Sequence, residues 1–164
     1  MRIIPLSEGT FTIDKTKRFV PFNEGTDKLK DRSSGSLLVE IQPFVVITSK
    51  DILLLDTGLG FQKNGILQLH QNLMDAGISL SDITKVLVTH LHKDHAGGLG
   101  EERDGLGARL SMPNAIYYVQ QDELAFAFEK GFPSFITEEL ECLRNNEQVH
   151  LLEGDGLIDD YIEY

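Results

Sequence analysis

The sequence predicts a mixed α/β domain of the α+β kind, and three observations predict it. Short runs rich in Val, Ile and Leu crowd the first third of the 164-residue chain. From about residue 64 the apolar spacing changes to that of a helix. Beyond that point strand-like and helix-like runs alternate.

Taken in order, "RIIPL" and "TFTI" are short strands. "NEGTDKLKDRSSGS" (23–36) is polar and rich in turn formers, so it is a loop. "SLLVEI" (36–41), "FVVITS" (44–49) and "DILLLD" (51–56) are broken only at Pro43 and at Lys50-Asp51. Their close spacing predicts antiparallel neighbours. "NGILQLHQNLMDAGI" spaces Ile66, Leu67, Leu69, Leu73, Met74 and Ala76 for a helix ending at Gly77. "SLSDI" is a turn or helix start. "KVLVT" is apolar enough for a strand covered on both faces. A Gly-rich loop, "GGLGEERDGLGARLSMPNA" (97–115), leads to the strand "IYYVQ". The helices "QDELAFAFEKG" and "SFITEELECLRN" come next, and "VHLLEG" and "LIDDYIEY" read as strands.

The length suits one domain with its own core and is too short for two ordinary ones. A formal net charge of -11 repels phosphate backbones and anionic membrane surfaces, so nucleic-acid and membrane partners are not expected. No run is long and apolar enough for a membrane span or a secretory signal, and a cytoplasmic location is the expectation. The single Cys142 excludes an internal disulfide framework and a cysteine-based metal cluster; it reads as a small buried hydrophobe.

Chemistry concentrates in "VLVTHLHKDHAGGLG" (86–100), where His90, His92, Asp94 and His95 come directly after the end of an apolar strand. Neutral imidazole suits zinc, iron and related ions, and Asp adds a hard oxygen. In an extended segment residues two apart point the same way, so His90 and His92 can share one cation. Asp94 and His95 are adjacent and diverge, and can serve a second cation beside the first. Ala96-Gly97-Gly98 leaves room for the backbone to bend close to the ions. In "LLLDTGLG" (53–60) a second apolar strand ends at Asp56, which can accept the free ring N–H of a ligand histidine.

"LLLDTGLG" (53–60), "GISLSDITKVLVTHLHKDHAGGL" (77–99) and "PNAIYYVQQDE" (113–123) together resemble the metallo-β-lactamase superfamily, in the hydrolase branch that includes lactone-cleaving enzymes. The resemblance implies an αββα sandwich, with this chain supplying about the first half. It implies one or two zinc ions, with iron or manganese as substitutes. His90 and His92 would bind the first ion and Asp94 and His95 the second, with Asp56 behind them. A metal-bound hydroxide would attack a lactone, ester, thioester or lactam carbonyl of a small molecule, with Asp94 orienting the water. Lys93 is a variable position of the pattern and reads as solvated.

The family pattern also needs a third histidine, a bridging aspartate and a final histidine from its C-terminal half. His70, His150, Asp155, Asp159 and Asp160 lack the neighbours for those roles. A single domain truncated at its C-terminal side is therefore expected, with a homodimer or a pairing with the missing half to cover its open face. Two other readings remain open. One is a catalytically incomplete fragment acting as a structural or interaction module. The other is an iron-dependent oxidoreductase of the same fold.

Overall fold

The computed structural model of the chain describes residues 1–102 and 108–164. Strand β1 (Arg2–Pro5) runs on into β2 (Gly9–Ile13), which pairs with β3 (Phe19–Pro21) and with β4 (Leu37–Ile41) in a three-stranded antiparallel sheet. Strand β5 (Phe44–Ile47) instead pairs with β1 and with β6 (Ile52–Leu55). The expected antiparallel row of three is therefore corrected: residues 36–41 and 44–49 belong to different sheets. The physical reason lies at Pro43, which has no N–H to donate to a ladder. Its carbonyl accepts from Leu6 N–H at 2.8 Å, and the Ile41 carbonyl accepts from Glu8 N–H at 2.9 Å. The paired runs β1–β2 and β4–β5 thus bend together from one sheet into the other.

The pair β7 (Gln62–Lys63) and β8 (Ile66–Leu67) forms a small ribbon whose turn carries Asn64 and Gly65 at positive φ. Ile66 and Leu67 are accordingly strand residues, and helix α1 (Gln68–Asp75) begins later than the apolar spacing predicts. Its end is as expected: Gly77 takes φ +76°, and Ile78 N–H donates to the Leu73 carbonyl at 2.9 Å. Ser79 and Asp82 cap the next short 3-10 turn. Strand β9 (Lys85–Leu87) then inserts parallel to β6.

After the four-residue helix α2 (Lys93–Ala96) come the antiparallel pair β10 (Gly100–Glu102) and β11 (Ala108–Leu110). They replace part of the expected Gly-rich loop, whose residues 103–107 lie outside the described ones. Strand β12 (Ile116–Gln120) joins β9 in parallel and leads straight into helix α3 (Gln121–Lys130); α4 (Thr137–Leu140) continues as a 3-10 turn. Strand β13 (Val149–Leu152) completes the main sheet, of order β1-β5-β6-β9-β12-β13. The last segment is two short strands, β14 (Leu157–Ile158) and β15 (Ile162–Glu163), where one was expected. Asp159 and Asp160 both take positive φ and turn the chain back on itself.

One face of the main sheet carries the core. Val45, Leu54, Val86, Tyr117 and Val119 pack against Leu69 and Leu73 of α1 and Leu124 and Ala127 of α3. Cys142 is buried in the same cluster, as expected for a small hydrophobe. On the opposite face Tyr118, Leu152 and Ile158 gather Leu87, Ile116 and Tyr164, so the C-terminal hairpin covers part of it. The architecture is mixed α/β around a central mixed sheet, as the sequence predicts, and α1 and α3 pack on one face of that sheet. Among the described residues no helix is long and apolar enough to cross a membrane.

That second face also holds a buried charge. Lys85 and Asp51 are 7% and 8% exposed, with Nζ 2.5 Å from Oδ1. Asp159 Oδ2 meets the same ammonium at 2.9 Å. Thr84 and Tyr161 donate their hydroxyls to Asp51. Replacing Lys85 by Met would leave the Asp51 carboxylate buried without its cation, which costs about 3 kcal/mol. Urea unfolding is expected to show that loss, and a change below about 1 kcal/mol would mean that solvent already screens the pair.

Candidate metal centre

Strands β6 and β9 run parallel and end side by side, so the segments leaving their C-terminal ends meet. Asp56 lies just past β6 and takes φ +59°, a conformation that Asp tolerates better than most residues. From there its carboxylate reaches the segment that leaves β9. Oδ1 accepts from Thr89 N–H at 2.8 Å, and both oxygens accept from the Thr89 hydroxyl at 3.0 Å. Oδ2 also accepts from His95 Nδ1 at 2.8 Å.

Alternation organises the loop. Thr89, Leu91 and Lys93 turn their backbone N–H groups to fixed acceptors: Asp56, Glu123 Oε1 at 2.9 Å and the Ser134 carbonyl at 2.9 Å. His90 and His92, between them, bring their rings together. His90 Nε2 lies 3.1 Å from His92 Nδ1, and the ring of His90 is centred 4.0 Å from that of His95. The ring of Phe135 backs His92 at 4.9 Å.

Asp94 and His95 were expected to diverge. They sit on the first turn of α2 instead, with Asp94 Oδ2 3.7 Å from His95 Nε2. Lys93, expected to be solvated, is half-buried, with its ammonium 5.7 Å from the ring centre of Phe19 and 5.8 Å from that of Phe132. His70 pairs with Glu101 at 2.9 Å, and His150 lies on the edge strand beside Tyr118.

The glycines also let two loops approach each other closely. A Cβ on Gly97 would meet the Leu59 carbonyl at 2.3 Å, and one on Gly58 would meet the Glu8 carboxylate at the same distance. The two loops therefore interlock backbone to backbone. Thr57 N–H donates to the His95 carbonyl at 2.7 Å, and Gly97 N–H to the Gly58 carbonyl at 2.8 Å. Behind them Glu8, 4% exposed, accepts from Leu59 N–H at 2.5 Å. Burial pushes the Glu8 carboxyl up to about 7, against the pull of backbone N–H groups at Leu59, Phe61 and Gly60.

These contacts set the site's electrostatics. The hydrogen bond to Asp56 raises the pKa of His95. Burial, with the neighbouring His95 and His92, lowers that of His90. As a donor to Asp56, His95 Nδ1 carries a proton, so in the neutral ring Nε2 keeps its lone pair, on the Asp94 side. Two ligands of a tetrahedral zinc ion stand roughly 3.3 Å apart, close to the 3.1 Å between His90 Nε2 and His92 Nδ1. The donor chemistry thus fits a divalent cation, and two pairs of donors lie side by side. Among the described residues, however, no three His, Cys, Asp or Glu side chains are arranged to hold one ion. A larger cleft of about 750 Å3, bordered by His70, Glu101 and Gly97, does not take in the four loop side chains.

Thr89, Glu123, Glu8 and Phe135 hold or back this arrangement and were missed in the sequence. A signal existed only for Glu123, an acidic residue in the first turn of a predicted helix.

A profile of the metallo-beta-lactamase superfamily matches residues 39–157. No curated protein matches the chain. Among solved structures it is similar to AidC, a dizinc quorum-quenching lactonase, with 27% identity over 79% of this chain and 45% of that one, at a TM-score of 0.58. A probable metal-dependent hydrolase from Staphylococcus aureus is 22% identical over 95% of this chain and 60% of its own, at a TM-score of 0.66. A quorum-quenching N-acyl homoserine lactone lactonase is 20% identical over 95% and 58%, at a TM-score of 0.63. The chain thus spans about half to three-fifths of the length of the structures it resembles.

Replacing Asp56 by Asn keeps the backbone conformation and removes the charged acceptor, which is expected to cost about 2 kcal/mol. Asp56→Ala adds the left-handed backbone penalty of about 1 kcal/mol, so urea unfolding should rank wild type above Asn above Ala. Equal stabilities would show that the carboxylate does not hold the loop. For Glu8 the folded pKa lies above the unfolded value of 4.5, so the neutral form favours folding. Its stability contribution is expected to fall by about 3 kcal/mol as pH rises from 4.5 to about 7, and to stay level above. Unfolding series across pH 4–8 should show this slope, and Glu8→Gln should flatten it.

Proposed function

The chain belongs to the metallo-beta-lactamase superfamily, and from that premise we propose that it serves a metal-dependent hydrolysis of a lactone, ester, thioester or lactam carbonyl. One observation carries the proposal: His90, His92, Asp94 and His95 stand within contact of one another at the joined ends of two parallel strands, with Asp56 fixing the tautomer of His95. The dizinc nature of the lactonase that is 27% identical supports zinc as the cation.

In this reading His90 Nε2 and His92 Nδ1 would hold one ion, and Asp94 with His95 Nε2 a second. A bound cation of this kind brings the pKa of water near neutrality and polarises a carbonyl oxygen. The protein's own part is orientation. Asp56 keeps the proton of His95 on Nδ1, so that Nε2 stays a donor of electrons. Glu123 and the Ser134 carbonyl pin the backbone on either side of His92, so neither ring has to be ordered when substrate arrives. Asp94 would take the proton of the attacking water and set its direction. The remaining donors would come from a second copy or from a complementary segment, and the exposed Phe44, Leu151 and Leu157 offer such a partner apolar surface.

A second reading, a module without catalysis, is favoured by the absence of any three-donor group among the described residues. Elemental analysis of protein purified without added metal, then assay on lactone, ester, thioester and lactam substrates, separates the two. The hydrolase reading expects one or two zinc equivalents, turnover, and at least tenfold weaker zinc binding in His92→Ala. Zinc without turnover would establish the inert module, iron in place of zinc would turn the reading to redox chemistry, and no uptake of metal would overturn the metal centre itself.

A further inference from the structure

A pocket of about 80 Å3 opens beside His92 and Asp94, walled by Ile13, Phe19 and Ser134 and bearing the side chains of Lys17 and Lys93. We propose that it seats a small carboxylate on a short aliphatic arm of the substrate, which makes Lys93 and Lys17 specificity-determining residues. The assignment rests on the hydrolase reading given above and deepens it by naming the substrate class.

Charge is the first ground. The chain carries a net charge of -11, yet two ammonium groups share this one pocket. Neither makes an ion pair among the described residues, whereas Lys85 and Lys130 do. Asp94 is the one carboxylate in the pocket's lining, its Oδ2 3.7 Å from His95 Nε2; Glu139 of α4 also faces Lys93, from outside that lining.

Shape is the second ground. The rings of Phe19 and Phe132 flank the Lys93 ammonium at 5.7 and 5.8 Å. Such contacts hold a cation in place without neutralising it. Lys93 N–H is tied to the Ser134 carbonyl at 2.9 Å, so the base of the side chain is fixed as well. Ile13 and Phe19 supply apolar wall for one or two methylenes. The volume is about half that of a cavity of roughly 150 Å3 that admits benzene, so it suits a carboxylate and little more.

Position is the third ground. His92 and Asp94 are walls of the same pocket, so an anion seated there stands beside the groups assigned to the reaction. The class implied is an ester, thioester or lactone whose acyl or alcohol arm ends in a carboxylate.

The test uses the full chain, labelled with nitrogen-15 and kept metal-free with chelator, at constant ionic strength. Butyrate is expected to shift the backbone amides of Phe19, Lys93 and Ser134 saturably, and butyramide to leave them in place. Lys93→Met keeps the aliphatic stem between the two rings and should weaken butyrate at least fivefold. Lys93→Arg should retain it, and a native spectrum of each variant shows that the fold is intact. Equal shifts with butyramide, or unchanged butyrate binding in the Lys17→Met/Lys93→Met double variant, would overturn the proposal. Because no metal is present, a failure here leaves the zinc measurement untouched, and a failure of zinc uptake leaves this binding result to stand by itself.

Discussion

The Asp56 carboxylate is the contact on which the rest of the site depends. It joins the ends of two parallel strands by accepting from a backbone N–H, a hydroxyl and an imidazole at once. Gly or Asn would tolerate its left-handed backbone equally well, but neither offers two anionic oxygens. Without that anion Thr89 would lose its acceptor, the His95 ring would be free to turn over, and the ring of His90 would lose its fixed neighbour in His95. A strained residue and a cluster of ligand-type side chains thus belong to one device.

Much of this was legible in the chain. The apolar runs at 44–47, 52–55, 85–87 and 116–120 are strands because β-branched and leucine side chains can be buried on a sheet face, and their boundaries fall at Pro43 and Lys50-Asp51 as the sequence predicts. The helix over 121–130 and the terminator at Gly77 were equally plain. Asp56 could be paired with the histidines because both come after an apolar strand. The features that escaped were long-range. Nothing local says that 37–41 leaves its neighbour for β2, because the choice is made by carbonyls of Ile41 and Pro43 meeting N–H groups some 35 residues away. Thr89 and Glu123 look like ordinary polar residues until the strands place them beside their partners. The turn at Asp159-Asp160 was missed because its flanking residues, Ile158 and Ile162, fit one strand as well as two.

The histidine loop is held mainly by contacts with the rest of the protein. Its geometry is set by oxygens and N–H groups of the protein. Pre-arranged donors of this kind avoid ordering costs at the moment of binding. The interlocked glycines add to this, because two backbones in direct contact leave no side chain that could adjust between them. Glu8 closes the assembly from behind, exchanging the cost of a buried carboxyl for a fixed loop at Leu59.

The buried Lys85 and Asp51 lie at the starts of β9 and β6, while Asp56 and the histidine loop lie at the ends of those same strands. Three or four residues of strand, roughly 10 Å, divide the two rims. The buried ion pair and the candidate metal centre therefore sit at opposite margins of one sheet. Substitutions could harden one margin against heat, or change the donor groups at the other, with little cross-talk between the two.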